Sequence, residues 1–107
     1  MIEITYCKYR MEFTGHAGYE ESGKDIVCAG VSALYVALIE ELTELEEQGA
    51  GKGEWEESGL VWFEPEKGKE TQVSAVFETV WKGLCGIARD HSRYVSLHRT
   101  FLPGQGG

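Results

Sequence analysis

The sequence predicts an α+β domain in which two helices pack on a mainly antiparallel sheet, in the order ββαββαβ. Residues 1–7 alternate between apolar and polar side chains, as a half-buried strand does. Residues 25–47 and 71–91 carry apolar side chains at steps of three or four, which is the period of an amphipathic helix. Short β-type segments bounded by glycine or proline account for the remaining strands.

The first half of the chain contains a hairpin and a long helix. A strand at residues 10–15 should pair with the first strand, although Lys8-Tyr9 is poor turn chemistry. Asp25 is the expected N-cap of the helix at 25–47, because its carboxylate can accept hydrogen bonds from free backbone N–H groups. The helix is apolar on nearly all sides at first and rich in glutamate later. We therefore expect it to start in the core and to emerge at the surface.

The second half of the chain is expected to contain two strands, a helix and a last strand, without an internal sequence repeat. Residues 48–53 are glycine-rich and are expected to form a mobile connection. Two short strands follow, and Pro65 ends the second because proline cannot donate to a ladder. Thr71 is a candidate cap for the helix at 71–91, and residues 94–101 are the expected last strand.

Length, composition and charge limit the possible classes of protein. The 107 residues suit one domain over residues 1–107, with a flexible tail at 102–107. We expect a cytoplasmic protein without a membrane partner, since neither a signal peptide nor a long apolar run is evident. The three cysteines are widely spaced, which favours free thiols over disulfides. The net charge of −8 argues against a nucleic-acid partner; it keeps the protein soluble or attracts a basic partner.

The residues able to perform chemistry are concentrated in one short stretch. If Asp25 is the N-cap, Cys28 is the third helical residue, and its sulfur lies near free N–H groups at the positive end of the helix, which favours the thiolate. His16, across a glycine-rich loop, could fold back as the general base. Ser32 lies one turn after Cys28 and could bond either a substrate or its own helix backbone.

Each of these residues also has a structural explanation. Cysteine in an apolar helix is often a small core residue, and Asp25 can cap the helix, orient His16, or do both. A histidine and a cysteine could bind a metal, but a structural zinc site needs about four ligands and no CxxC pair is present. We therefore predict no metal and no other cofactor. Cys7 and Cys85 are expected to pack in the core. His91 and His98 are expected to be ordinary surface residues.

The run from Gly15 to Ser32 resembles the ribosomal-processing cysteine protease family usually called Prp. Gly-His-Ala, a loop, and then Gly-Lys-Asp-Ile-Val-Cys-Ala-Gly-Val-Ser form a specific pattern, and the length and element order are also similar to that family. The resemblance implies that Cys28 is the nucleophile and His16 the base. It places Gly15, Asp25 and Ser32 at the family's other active-site positions.

The resemblance also implies a substrate and an oligomeric state. The substrate would be bacterial large ribosomal subunit protein twenty-seven, whose N-terminal extension is removed after a hydrophobic and aromatic stretch. The enzyme would be a homodimer with a mobile loop between His16 and Cys28. The sequence thus predicts a cysteine endopeptidase with a Cys-His dyad. The alternative is a non-catalytic dimeric module that binds ribosomal proteins and in which Cys28 is simply buried.

Overall fold

The computed structural model describes residues 1–15 and 24–100. Its elements follow the order ββαββαβ, which confirms the predicted fold. In chain order they are β1 (Ile2–Cys7), β2 (Arg10–Gly15), α1 (Lys24–Glu47), β3 (Gly51–Trp55), β4 (Leu60–Pro65), α2 (Glu70–Asp90) and β5 (Val95–Arg99).

The strands form one sheet in the order β3-β4-β2-β1-β5. Neighbouring strands are antiparallel except β1 and β5, which are parallel, so the sheet is mainly antiparallel as expected. The β1–β2 turn passes through Lys8, whose φ of 55° lies in a region that non-glycine residues seldom adopt. The hairpin forms despite this turn, because every residue from Ile2 to Cys7 has a partner on β2.

Both helices contribute to one apolar core on the sheet. Strand β1 shows that one face of the sheet is buried and the other is not. Its residues Ile2, Ile4 and Tyr6 are buried, while Glu3 is exposed. The helices contribute further buried residues, which are Val27, Val31, Leu38, Leu42 and Leu45 from α1 and Val73, Phe77, Val80, Trp81 and Leu84 from α2. These residues form a single cluster with the buried side of the sheet.

The two helices contact each other where a glycine faces a branched side chain. A Cβ at Gly30 would lie 3.0 Å from Ile87 Cδ1, and one at Gly83 would lie 2.9 Å from Leu34 Cδ1. Both glycines therefore allow the helices a close approach that alanine would hinder. Helix packing accordingly explains the glycine that follows Cys28 by two positions.

Both helices begin two residues earlier than caps at Asp25 and Thr71 would place them. α1 begins at Lys24, so Asp25 belongs to the first helical turn and is not the N-cap. α2 is preceded by Lys69, so Thr71 is not its cap. The carbonyl of Lys69 already accepts the first helical hydrogen bond, from the N–H of Val73 at 3.1 Å, and no side-chain cap is needed to start the helix.

The expected mobile connection at residues 48–53 is partly a strand. β3 starts at Gly51, and a Cβ at Gly51 or Gly53 would overlap the ring of Phe63 or the neighbouring backbone of β4. The absence of side chains at these positions lets the Phe63 ring cover β3. The glycines thus serve strand packing rather than loop flexibility.

The first half of α1 is more exposed than its apolar sequence predicts. Ile26 is 70% exposed and Val36 is 49% exposed, because α1 buries only the side that faces the sheet and α2. By length and composition the segment Ile26–Glu47 could span a membrane, contrary to the expectation that no segment would qualify. Only 22% of the apolar window is buried, but α1 contributes five residues to the hydrophobic core, which are Val27, Val31, Leu38, Leu42 and Leu45. α1 is therefore a core helix that leaves one apolar side uncovered by described residues.

A polar cluster joins α2 to the edge of the sheet. Arg99 Nη2 donates to Glu78 Oε2 at 2.7 Å, and the guanidinium lies 4.6 Å from the centre of the Tyr6 ring. A hydrogen bond with Tyr6, together with the bond and charge of Arg99, holds the pKa of Glu78 below its ordinary value, although burial opposes this. Burial, and then the Glu78 carboxylate, raises the pKa of Tyr6. The cluster thus favours an ionised Glu78 beside a neutral Tyr6.

Glu78→Gln should lower the free energy of unfolding by about 1 kcal/mol at neutral pH, because glutamine is uncharged and cannot form an ion pair with Arg99. Since the pKa of Glu78 is lower in the folded than in the unfolded protein, this stabilisation is present above the unfolded pKa. It is lost as the pH falls through the folded pKa. Urea unfolding should therefore show the two proteins converging in acid. Glu41→Gln, at an exposed position of α1, should have little effect at either pH, and equal effects of both variants would contradict this role.

Candidate active site

Cys28 lies at the fifth position of α1, counted from Lys24. The N–H groups of the first four helical residues have no partner within the helix, and side chains of a helix lean toward its N-terminus. Helix geometry therefore directs the Cys28 side chain toward the first turn, whose N–H groups have no partners inside the helix. The position differs from the expected third residue, but the predicted proximity to the positive helix end is retained.

The three cysteines are free, as expected, and differ in their surroundings. Cys28 is half-buried and packs against the edge of the core, so it is not an inaccessible core residue. Cys85 also packs against the core, as predicted. The prediction that Cys7 packs in the core is wrong, because the alternation of β1 directs it to the opposite face of the sheet. There it borders an open depression together with Thr5 and Arg10.

The histidines of the described region lie near the surface, in agreement with the sequence. His91 follows α2, and its N–H donates to the Ile87 carbonyl at 2.9 Å. His98 lies in β5, and its Nε2 is 3.4 Å from Glu3 Oε1, with both side chains more than half exposed. Among residues 1–15 and 24–100, no group of three or more histidine, cysteine, aspartate or glutamate side chains is placed to hold a metal ion.

Gly15 ends β2 immediately before His16. Its φ of 84° lies in the left-handed region, and a Cβ there would overlap the carbonyl oxygen of Met1, the residue just before β1. Both the backbone angle and the lack of space require glycine at this position. Gly15 thus fixes the direction in which the chain leaves the sheet toward His16. His16 and residues 17–23, for which the resemblance predicts a mobile loop, lie outside the described residues.

Ser32 lies one turn after Cys28 on α1 and is exposed. Of the two roles considered for its hydroxyl, a bond to its own helix is not found among the described residues. Thr43, by contrast, donates to the Ile39 carbonyl at 2.8 Å. The Ser32 hydroxyl is therefore available to another group on the surface near Cys28. For Asp25, the structure describes only its backbone position in the first turn of the helix.

An aromatic pair that the sequence did not single out lies on the same side of α1 as Cys28. Tyr35 follows Cys28 by two turns, a spacing that places both on one side of a helix. Its ring meets Phe13 of β2 edge-on, with centres 5.0 Å apart and planes at 79°. Both side chains are half-buried. The helical spacing from Cys28 could have identified Tyr35, whereas the partner on β2 depends on tertiary packing.

A comparison of the chain with known families finds a match. The sequence profile of the family described as cysteine protease Prp matches residues 1–96. No curated protein sequence matches the chain. The predicted resemblance to the Prp family is therefore confirmed over most of the chain.

Several solved structures are similar to the chain. SMU.848 from Streptococcus mutans is 25% identical, with a TM-score of 0.70 over 95% of this chain and 96% of that chain. The ribosomal processing protease Prp from S. aureus, in complex with a substrate peptide, is 18% identical, with a TM-score of 0.69 over 94% of this chain and 100% of that chain. The same protease with a covalently linked product peptide is 19% identical, with a TM-score of 0.68 over 94% and 100% of the two chains.

At these identities the two S. aureus structures establish the shared fold, and the family match establishes the class of enzyme. The accessible position of Cys28 in α1 agrees with a thiol-dependent hydrolase. The chain belongs to the cysteine protease Prp family and is a cysteine protease.

Proposed function

We propose that the protein cleaves peptide bonds with Cys28 as the nucleophile and His16 as the general base. The observation that carries this proposal is the position of Cys28, half-buried in the first turns of α1, where helix geometry leaves backbone N–H groups without partners inside the helix. Of the described cysteines, it is the one near a helix N-terminus. The pairing is supported by the match to the Prp family, which covers residues 1–96 and so includes both His16 and Cys28.

The reaction would proceed by acyl transfer. His16 takes the Cys28 proton, and the sulfur attacks the carbonyl carbon to form a C–S bond and an oxyanion. Backbone N–H groups of the first helical turn stabilise the oxyanion. His16 then donates the proton to the leaving nitrogen as the C–N bond breaks. Water, with His16 again as the base, attacks the thioester and releases the new carboxylate and the Cys28 thiol. Asp25 lies in the first turn of the same helix, and Asp25→Asn tests whether its carboxylate orients His16.

The substrate that fits this surface is a protein with an apolar segment before the cut and a basic body. Phe13 of β2, whose half-buried ring meets Tyr35 of α1, suits an apolar side chain before the cut. The net charge of −8 favours a basic substrate. We therefore propose that the enzyme removes the N-terminal extension of large ribosomal subunit protein twenty-seven. The S. aureus protease with the same fold is a ribosomal processing enzyme.

Incubation of the extended ribosomal protein with the enzyme tests this substrate. Wild type should shorten the protein by one N-terminal peptide, detected by intact mass, and Cys28→Ala should leave the mass unchanged. A ribosomal protein made without the extension is the matched control and should remain intact. Cleavage of the control at internal sites, or no cleavage of the extended protein, would contradict the assignment.

We also propose that the enzyme is a cytoplasmic homodimer whose catalytic domain spans residues 1–107. The uncovered side of α1 supports dimer formation, since Ile26 and Val36 are exposed there beside Ala29 and Ala33. Burial of such a surface by a second copy would be favourable. Sedimentation of wild type and Val36→Glu should give the mass of a dimer and of a monomer, respectively. A monomeric wild type would contradict this assignment.

A further inference from the structure

The exposed ring of Trp55 marks a groove at the end of α1 that is remote from Cys28. Trp55 is the last residue of β3 and is 51% exposed. The Trp55 groove has a volume of about 70 Å³, and its lining includes Leu42, Thr43, Glu46, Glu54, Trp55 and Val61. Pockets for small-molecule ligands measure about 300–1,000 Å³. The groove is therefore suited to the end of one long side chain rather than to a small molecule.

Two carboxylates border the Trp55 groove. Glu46 Oε1 accepts a hydrogen bond from the Gly53 N–H at 2.7 Å, which holds this carboxylate against β3. Its other oxygen and the exposed Glu54 can accept further hydrogen bonds. The flanking sequence adds Glu44, Glu47, Glu56 and Glu57, and the nearest lysine along the chain is Lys52. The groove therefore combines negative charge with an exposed aromatic face.

This combination is suited to a cation. An ammonium or guanidinium group binds the face of tryptophan better than that of other aromatic side chains, and nearby carboxylates add charge attraction. Within the described parts of the chain, cations lie near the rings of Tyr6, Tyr9 and Tyr94, and none lies over Trp55. The Trp55 face is thus open to a lysine or arginine from another molecule.

One side of α1 connects Cys28 to the Trp55 groove. Ser32, Tyr35, Ile39 and Thr43 follow Cys28 at steps of three or four residues, which keeps them on one side of the helix. Thr43 is 15 positions after Cys28, a distance of about 22 Å along the helix axis. An extended peptide covers that distance with about six or seven residues. A peptide cut at Cys28 can therefore reach the groove.

We propose that the Trp55 groove binds a lysine or arginine of the substrate, at least six residues beyond the cut on its C-terminal side. The proposal rests on the proposed function, because a protein that contacts RNA phosphates carries basic side chains. A second copy of this chain does not fit the groove, since each copy carries a net charge of −8. Nucleic acid is disfavoured for the same reason.

Two substrates separate this docking site from the active site. One is the extended ribosomal protein, and the other is a peptide that ends about three residues beyond the cut and so cannot reach the groove. Trp55→Ala and Glu54→Lys should each lower kcat/KM for the protein by about 5-fold at low salt, and change it less than about 2-fold for the short peptide. Glu66→Lys is the matched control for Glu54→Lys, because it makes the same charge change at another exposed position. This position lies about 13 Å from Glu54 along the β3–β4 pair. It should leave both substrates nearly unaffected.

Equal losses on both substrates, or an equal loss with Glu66→Lys, would overturn the proposal. The proposal would also be overturned if Trp55→Ala and Glu54→Lys both cleaved the ribosomal protein with the same kcat/KM as wild type. If wild type cleaves neither substrate, the proposed function fails, and the groove is tested by binding alone. A fluorescent peptide with several lysines and no cleavage site should then bind wild type about 5-fold more tightly than Trp55→Ala in an anisotropy titration. Equal binding would overturn the docking site.

Discussion

Gly15→Ala should lower the free energy of unfolding by about 3 kcal/mol, well beyond the cost of the backbone angle alone. A left-handed angle costs a non-glycine residue about 1–2 kcal/mol. At Gly15 the new Cβ would also overlap the Met1 carbonyl oxygen. The neighbouring Ile2 cannot shift freely to relieve the overlap, because its N–H donates to the Tyr94 carbonyl at 2.7 Å and it pairs with Gly15 itself.

Gly49→Ala separates the two contributions. Gly49 has a φ of 81°, nearly that of Gly15, but no atom lies within 4 Å of a Cβ built there. This variant should lose only about 1 kcal/mol in urea unfolding. Because His16 follows Gly15, the Gly15 variant should also lose kcat/KM at temperatures where it is folded, while Gly49→Ala should keep full activity. Equal destabilisation of the two variants would show that the first residue of the chain moves aside.

The regular elements of this fold could be predicted because their residue spacing matches local geometry. β1 alternates strictly, and α2 keeps its apolar side in register over 21 residues, so both were found with nearly correct ends. The start of β3 was missed because glycine has a low strand propensity. Gly51 and Gly53 are strand residues for a tertiary reason, which is the Phe63 ring packed over them.

Those parts of the candidate site that lie on a single helix could be predicted from the residue spacing. Cys28 and Ser32 lie on neighbouring turns of one helix, as their spacing requires. The exposure of Ile26 was not predictable, since an apolar helix gives no indication of which side the sheet leaves uncovered. The steric role of Gly15 was also hidden, because the carbonyl that excludes a side chain belongs to Met1, 14 positions earlier in the chain. Contacts between distant parts of the chain decide these features.

Cys28→Ala should reduce cleavage of the ribosomal substrate by about 10⁴-fold or more, because no other group of the dyad can form the acyl intermediate. Cys28 is half-buried and its loss removes a single sulfur, so circular dichroism and the unfolding midpoint should change little. Cys28→Ser keeps the size of the side chain but is a poorer nucleophile, and should be nearly as inactive. His16→Ala should lower kcat by about 10²–10⁴-fold, the usual contribution of a general base.

Thiol labelling distinguishes loss of chemistry from loss of structure. In wild type at neutral pH, iodoacetamide should modify Cys28 before Cys7 or Cys85, since only Cys28 combines partial exposure with a helix N-terminus. His16→Ala should slow the labelling of Cys28 and leave that of Cys7 unchanged, because Cys7 lies on the opposite face of the sheet. Faster labelling of Cys7 in wild type, together with full activity of Cys28→Ala, would remove Cys28 from the mechanism.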